Sequence, residues 1–255
     1  PPDQDDQEQV FHAVIHAWYM EEFSEIIDSF KADHLRWNLY VTTTQEHYGE
    51  VASRLSDFRG ASEIFVSENR GRDILPFITV AHALLQKNVD AVLKLHTKRS
   101  VHRTDGDVWR RELLDCLTRR GRAEKIHEAF TTDEMLGLVA PEGHLLKLSE
   151  FVGANREKIA FFARHLGLPS HLVRQTQFVS GSMFWIRLNA LRPFLDAVLF
   201  HSDFEPEEGQ IDGTSAHALE RLFIASATFM GYKTETAAAI CNEPFQVHAK
   251  YPYAS

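Results

Sequence analysis

The chain has 255 residues, 44% of them hydrophobic and 25% charged, a balance typical of one globular α/β domain and unlike that of disordered or fibrous proteins. Its formal net charge of -9 disfavours a nucleic-acid partner, because proteins that wrap a duplex present a basic surface to its phosphates. The two cysteines, Cys116 and Cys241, have no C-x-x-C spacing, so we expect reduced thiols rather than a disulfide framework or a zinc ribbon.

The chain opens with the acidic segment PPDQDDQEQ and has no initiator Met. We expect a linker or tail over residues 1–10 and a single domain over residues 11–255, excised from a longer multi-domain polypeptide. No run of about 18 apolar residues follows, so the sequence predicts no membrane-spanning helix.

The first half of the domain alternates strands and helices. Strands are predicted at VFHAVIHAWY, WNLYVTTT, SEIFVSEN and AVLKLHT, and helices at MEEFSEIIDSFKA, EHYGEVASRLSDF and DILPFITVAHALLQKN. This alternation predicts an α/β fold with a mostly parallel, nucleotide-binding type of sheet flanked by helices. Ligands of such sheets bind beyond the carboxyl ends of the strands.

The second half is less regular. Helices are predicted at VWRRELLDCLT, AEKIHEAFTTDEM, NREKIAFFARHLG and NALRPFLDAVLF, and strands at LGLVAPE and QFVSGSMFWIR, the latter broken at Gly181. The segment GTSAHALERLFIASATFMGY is predicted to be one long helix, capped by Thr214 or Ser215 and ended by Gly231.

The turn after the third strand, ENRGRDILPF, carries two guanidinium groups and a carboxylate. In one interpretation it is a simple turn in which Asp73 caps the next helix. In the other, Arg70 or Arg72 binds a phosphate and Asp73 accepts a sugar hydroxyl. The sequence of this turn leaves both open.

The fourth strand ends in a cluster of cations, AVLKLHTKRS. Alternation places Lys94, His96 and Lys98 on one face of a strand that otherwise looks buried, although a solvated edge strand is the alternative. A buried cationic face requires an anion. Since the two clusters meet at the same edge of a parallel sheet, we expect them to stabilise a diphosphate leaving group.

Two weaker signals concern the nucleobase and a metal. His16, at the end of the first strand, is followed by aromatic residues that could stack on a base or fill the core. The D-x-D pattern, Asp105 and Asp107, lies one loop beyond the fourth strand, and Asp107 is more simply a helix cap. A divalent metal is therefore possible but not supported by a strand-end Asp-x-Asp, and no cofactor is predicted with certainty.

Later in the chain, small and acidic residues occupy turns. Gly181 and Ser182 allow a ligand to approach the backbone closely. Asp212 lies on a glycine-flanked turn before a helix, where it could act as a general base or merely cap that helix. Glu220, two turns into the helix, competes with Asp212 for the role of base, and we favour Asp212 because loops at the ligand edge carry chemistry.

Four motifs occur in an order that resembles the rhamnan synthesis protein F family: NRGRDILPF, LKLHTKRS, FVSGSMFWIR and DGTSAHALERLF followed by GY. The resemblance runs from about Val14 to Tyr232. It implies a GT-A-like fold, a nucleotide-diphosphate sugar donor such as dTDP-rhamnose, and a growing bacterial glycan as acceptor, for example of O-antigen. It also implies other domains in the same polypeptide and a cytoplasmic location, at the inner face of the inner membrane where the acceptor is lipid-linked.

Position by position, the resemblance implies an inverting glycosyltransferase with Asp212 as its general base. The other motif positions, together with His16 at the end of the first strand, are assigned to substrate binding. The donor-binding residues are His16, Arg70, Arg72, Asp73, Lys94, His96 and Lys98. The acceptor-binding residues are Gly181, Ser182 and Glu220. Two alternatives stay open. One is a non-catalytic glycan- or nucleotide-binding module of a polysaccharide synthase, and the other is a transferase of another sugar such as galactofuranose.

Overall fold

The computed structural model describes residues 9–97, 106–119 and 121–244, and of residues 106–109 the backbone alone. Its described strands are β1 (Val10–His16), β2 (Arg36–Thr43), β3 (Ser62–Val66), β4 (Ala91–His96), β5 (Leu136–Ala140), β6 (Leu145–Lys147), β7 (Gln177–Val179), β8 (Phe184–Arg187) and β9 (Lys233–Thr236). Seven of them form one sheet in the order β3-β2-β1-β4-β8-β5-β9, and β6 pairs with β7 in a separate antiparallel ribbon. Within the described part of the large sheet, β8 alone runs antiparallel to its neighbours.

Helices cover both faces of the large sheet. They are α1 (Met20–Ala32), α2 (Tyr48–Leu55), α3 (Ile74–Gln86), α4 (Gly106–Thr118), α5 (Arg122–Thr132), α6 (Arg156–His165), α7 (Ser170–Gln175), α8 (Arg192–Asp196), α9 (Ser215–Glu220), α10 (Phe223–Phe229) and α11 (Ala237–Cys241). One apolar core packs α3 and α6–α10 against the sheet, and a second packs α1, α2, α4, α5 and α11 against the other face. The predicted fold class, an α/β fold with a mostly parallel sheet flanked by helices, is confirmed.

Burial on both faces explains the composition of the central strands. In β4, Val92 packs into the core on the α3 side, while Leu93 and Leu95 pack into the opposite core. Strands covered on both faces are nearly continuous apolar runs, so the charged Lys94 in the middle of this one needs a special explanation. The predicted alternative of a solvated edge strand is wrong, because β4 lies between β1 and β8.

The second half departs from the predicted elements in three places. The predicted long helix is two helices, α9 and α10, separated at Arg221 and Leu222, a break that the continuous apolar pattern hides. The predicted strand QFVSGSMFWIR is β7 and β8, which belong to different sheets because the chain turns at Gly181 (φ 83°) and Ser182 (φ 53°). In NALRPFLDAVLF the α-helix is only Arg192–Asp196, preceded by a 3₁₀ turn, Leu188–Leu191.

The structure describes only part of the predicted tail, and only the described helices can be compared with the length of a membrane span. Strand β1 begins at Val10, so the last residue of the predicted tail already belongs to the sheet, and residues 1–8 lie outside the described part. No helix in the described ranges is both long and apolar enough to cross a bilayer.

Candidate functional site

A row of polar side chains crosses the carboxyl edge of the sheet. Thr42, His16 and His96 are in register on the adjacent strands β2, β1 and β4. His16 Nδ1 lies 2.9 Å from Thr42 Oγ1, and His96 Nε2 donates a hydrogen bond of 2.7 Å to the carbonyl of Gly181. The row therefore extends from β2 to the turn before β8, along the edge where α/β sheets bind ligands.

The predicted anion for the cationic strand is a residue of the chain itself. The side chain of Lys94 is only 1% exposed, and its Nζ lies 2.5 Å from Asp73 Oδ2. The same ammonium donates to the carbonyl and the hydroxyl of Ser182, at 2.8 and 2.9 Å. Since an ammonium has three donors, these contacts saturate Lys94. The donor-binding role of Lys94 stays a prediction, and its three contacts indicate that it acts by positioning Asp73 and the turn before β8.

Asp73 occupies the N-cap position of α3 without capping it, because its carboxylate is bonded to Lys94 instead. Burial alone would raise the pKa of this carboxyl, but the ammonium of Lys94 and the nearby His96 and His16 outweigh burial and hold the pKa well below its usual range. Asp73 is therefore ionised. No side chain or backbone group in the described ranges donates to its second oxygen, Oδ1.

His16 is less cationic than the sequence suggests. Burial is the main cause that lowers the pKa of its imidazole to about 4; Asp73 opposes this shift, and the neighbouring His96 and Lys94 contribute to it. At neutral pH the cluster therefore combines a neutral His16 with a matched Lys94–Asp73 ion pair.

Two strained turns flank this ion pair. Gly71 (φ 72°) precedes Arg72 (φ 53°), and Gly181 (φ 83°) precedes Ser182 (φ 53°). The left-handed conformation costs a residue with a Cβ about 1–2 kcal/mol, so Arg72 and Ser182 are held there by their contacts. Strain of this kind is characteristic of functional sites.

The two predicted phosphate-binding arginines contact a later loop of the chain. Arg72 Nε and Nη2 each donate to the carboxylate of Glu207 at 2.9 Å, and Nη1 donates to His217 Nε2 at 2.9 Å. Arg70 Nη1 donates to the carbonyl of Phe204 at 2.9 Å. The predicted donor contacts of Arg70 and Arg72 thus require these partners to be exchanged for a ligand.

Asp212, the predicted general base, lies in the same loop and is tied to the turn before α6. Its Oδ2 accepts from the backbone N–H of Ala154 at 3.0 Å, and its Oδ1 accepts from Asn155 Nδ2 at 2.6 Å, with Arg221 Nη2 3.5 Å away. Burial raises the pKa of Asp212, but these donors outweigh it and the net pKa is below its usual value. The N-cap of α9 is Thr214, so the alternative of Asp212 as a plain helix cap is wrong.

The remaining predicted residues are placed as follows. Glu220 is the last residue of α9 and is half-buried. Lys98 and Asp105 lie outside the described residues, as does the side chain of Asp107. Among described residues, no group of three or more His, Cys, Asp or Glu side chains is arranged to hold a metal ion.

The structure also adds residues that the sequence analysis missed. Thr97 Oγ1 accepts from the backbone N–H groups of Trp18 and Tyr19, at 2.8 and 2.9 Å, and so ties the end of β4 to the start of α1. His144 Nδ1 lies 3.0 Å from Ser180 Oγ in the buried segment beside Gly181. Thr97 could have been found, since it directly follows the predicted His96, whereas nothing in the sequence pairs residue 144 with residue 180.

Residues 2–232 match the family model of rhamnan synthesis protein F. The chain belongs to the rhamnan synthesis protein F family. Two relatives, each named "Uncharacterized protein WxcX" and from Xanthomonas campestris pv. campestris strains B100 and ATCC 33913, are 44% identical over 223 residues, which is 88% of this chain. The chain spans only 32% of their length. A solved structure, mouse xyloside xylosyltransferase 1 in its apo form, aligns with a TM-score of 0.43 and 10% identity over 89% of this chain and 85% of that one.

The motifs by which the chain resembles the rhamnan synthesis protein F family are distant in sequence but linked in space. Asp73 from NRGRD, Lys94 from LKLHT and Ser182 from FVSGS form one hydrogen-bonded cluster. The fourth motif joins it through Arg72, which directly precedes Asp73 and is bonded to His217 of DGTSAH. In this member of the family, three motifs therefore build one contiguous site and the fourth lies beside it.

Proposed function

We propose that this chain is a glycosyltransferase domain that moves a sugar, with rhamnose favoured, from a nucleotide-diphosphate donor to a growing bacterial polysaccharide. The observation that carries the proposal is the meeting of three family motifs in a charged, strained cluster at the carboxyl edge of an α/β sheet, where such sheets bind nucleotides. Membership of the rhamnan synthesis protein F family supports polysaccharide assembly as the setting.

In this proposal, the cluster binds the donor. The open oxygen of Asp73 accepts a hydroxyl of the sugar or ribose, and Lys94 keeps Asp73 ionised and oriented for that contact. His96, fixed by its bond to Gly181, lies beside the departing diphosphate together with Arg70 and Arg72. Lys98, which lies outside the described residues, keeps its predicted role in donor binding. Preorganised donors of this kind stabilise the charge that develops on a leaving group.

The chemical step is a single displacement with inversion. An acceptor hydroxyl oxygen attacks the anomeric carbon while the bond from that carbon to the diphosphate oxygen breaks, and its electron pair departs with the nucleoside diphosphate. The hydroxyl proton passes to Asp212. A carboxylate has about four acceptor positions, and Asn155 and Ala154 occupy two, so Asp212 retains room for the acceptor hydroxyl.

Replacement of Asp212 tests the catalytic assignment. Asp212→Asn keeps the size of the side chain but removes the base and one of the two oxygens that accept from Ala154 and Asn155. We expect donor affinity to persist while kcat falls about 10²- to 10⁴-fold. The measurement is sugar transfer from a panel of nucleotide sugars that includes rhamnose and galactofuranose donors. Asp196→Asn, on the exposed face of α8, is the matched control and should retain full activity. A fully active Asp212→Asn variant would remove Asp212 from the mechanism.

A second candidate function is a non-catalytic module that binds a nucleotide or glycan within a larger synthase. It is favoured by the internal neutralisation of the site, since Lys94 is paired with Asp73 and Arg72 with Glu207. This candidate predicts that the chain binds a nucleotide or glycan but transfers no sugar from the panel. Wild type and Asp212→Asn should then be equally inactive.

A further inference from the structure

The loop from residue 204 to residue 213, here called the acidic loop, lies against the turn that carries the predicted phosphate-binding arginines. Phe204 packs so closely on Gly71 that an added Cβ there would lie 3.0 Å from its ring. Pro206 forms a β-bridge with Arg70, whose guanidinium also bonds the carbonyl of Phe204. The acidic loop therefore covers the segment directly before Asp73.

Glu207 of the acidic loop binds Arg72 in the manner of an anionic ligand. Two parallel N–H···O bonds of 2.9 Å join the guanidinium to the carboxylate, which is the fork geometry that arginine also uses for phosphates. The pair is largely shielded, with side-chain exposures of 12% for Arg72 and 22% for Glu207. Nη1 is held by His217 and Nη2 also by the carbonyl of Gln210, so the guanidinium has a fixed orientation.

The space between the turn and the acidic loop leaves no room for a phosphate beside Glu207. The cavity between the turn and the acidic loop, lined by Gly71, Arg72 and Glu207 among others, measures only about 10 Å³, about the space of one water molecule. A phosphate group can therefore reach Arg72 only if Glu207 leaves.

Contacts hold the acidic loop at both ends. Lys158 and the backbone N–H of Ser215 hold Glu205, at 2.6 and 2.9 Å, and Asn155 holds Asp212. Between these anchors Gly209 has a φ of 77°, a conformation that glycine enters and leaves at little cost. Residues 206–211 can thus shift without detaching the ends of the loop.

We propose that Arg72 is the anion site for the donor diphosphate. Glu207 occupies this site when no donor is bound, so donor binding displaces residues 206–211. This inference rests on the proposed function, because it takes a nucleoside diphosphate as the competing anion. Its consequence is a lowered apparent affinity: the donor binds only the fraction of molecules in which Glu207 has released Arg72.

The test is calorimetric titration of the chain with dTDP, UDP and GDP, comparing wild type with Glu207→Gln and with Glu208→Gln. The glutamine at 207 removes the competing charge and keeps the side-chain shape, so we expect about tenfold tighter binding of the preferred nucleotide. The exposed neighbour Glu208 is the matched control and should change nothing. In an Arg72→Met background the gain from Glu207→Gln should vanish.

Hydrogen–deuterium exchange on the wild type supplies a second readout that needs no variant to fold. Saturation with the preferred nucleotide should increase exchange in residues 206–211. Equal or weaker binding by Glu207→Gln, or unchanged or reduced exchange in that segment, would overturn the displacement while leaving the proposed function intact. Absence of nucleotide binding by every protein would overturn both.

Discussion

At the scale of single residues, the buried Lys94–Asp73 pair decides how the site is charged. Taking an ammonium and a carboxylate out of water is costly, and a buried pair is tolerated only when each charge is fully partnered. Lys94 meets this condition through Asp73 and Ser182. The pair therefore gives little net stability, and we propose that its role is to fix an ionised carboxylate at the carboxyl edge of the sheet.

Removal of one member of the pair should be far more damaging than removal of an exposed ion pair. Lys94→Met leaves Asp73 buried without its counterion, and we expect a loss of about 3–5 kcal/mol in the free energy of unfolding. Lys87→Met is the matched control, because Lys87 pairs with Glu63 at 2.8 Å with its side chain 52% exposed, and should cost less than about 1 kcal/mol. Urea unfolding measures both, and equal small losses would contradict the assignment of Lys94 to positioning.

His16 should make stability depend on pH. Its folded-state pKa of about 4 lies below the unfolded value near 6.5, so the unfolded chain binds more protons between these values. The free energy of unfolding is then highest above pH 6.5 and falls by an amount on the order of 3 kcal/mol as pH drops to about 4. Urea titrations across this range, compared between His16→Asn and the exposed-site control His171→Asn, check it. We expect the dependence to be lost in His16→Asn and kept in His171→Asn, and its persistence in His16→Asn would contradict the assignment.

At the scale of elements, the tight turn between β3 and α3 places Asp73 against β4. It depends on Gly71, whose φ is 72° and where an added Cβ would lie 2.4 Å from the Cβ of Leu75. A side chain at this position is strained by its backbone conformation and by this contact.

Two glycine substitutions should therefore have opposite effects. Gly71→Ala should lower the free energy of unfolding by at least about 1 kcal/mol through the left-handed conformation alone, and should weaken nucleotide binding by shifting Asp73. Gly49→Ala, in α2 with no atom within 4 Å of the added Cβ, should stabilise by up to about 1 kcal/mol. Thermal unfolding of the two variants gives the comparison, and a neutral Gly71→Ala would show that the turn is not strained.

At the scale of the whole molecule, the first half could be predicted from sequence and the second only in part. From β1 to β4, each element has its own apolar period and is bounded by polar residues, so local pattern suffices. The later elements are short, and their limits are set by tertiary contacts: Arg221, where α9 gives way to α10, bonds the carbonyl of the distant Phe151. No pattern within GTSAHALERLFIASATFMGY contains that information.

The candidate site, too, could be predicted from the sequence only in part. Alternation in β4 correctly predicted that Lys94 and His96 share a face and that this face needs an anion. The anion is Asp73, which lies 21 positions from Lys94 in the sequence. Asp212 is bound to Asn155, which lies 57 positions away. Both pairings depend on how the elements pack. The sequence pattern therefore predicted a ligand as the anion near Lys94, whereas the structure places the carboxylate of Asp73 there.

The carboxyl edge of the sheet is proposed to bind a nucleoside diphosphate. The most direct measurement is calorimetric titration of the chain with dTDP, UDP and GDP, each with and without Mg²⁺, and repeated on His96→Ala with His171→Ala as the control. We predict binding of one nucleotide to wild type and to the control, and its loss in His96→Ala. Failure of every nucleotide to bind wild type, with or without Mg²⁺, would show that this edge is not a nucleotide site.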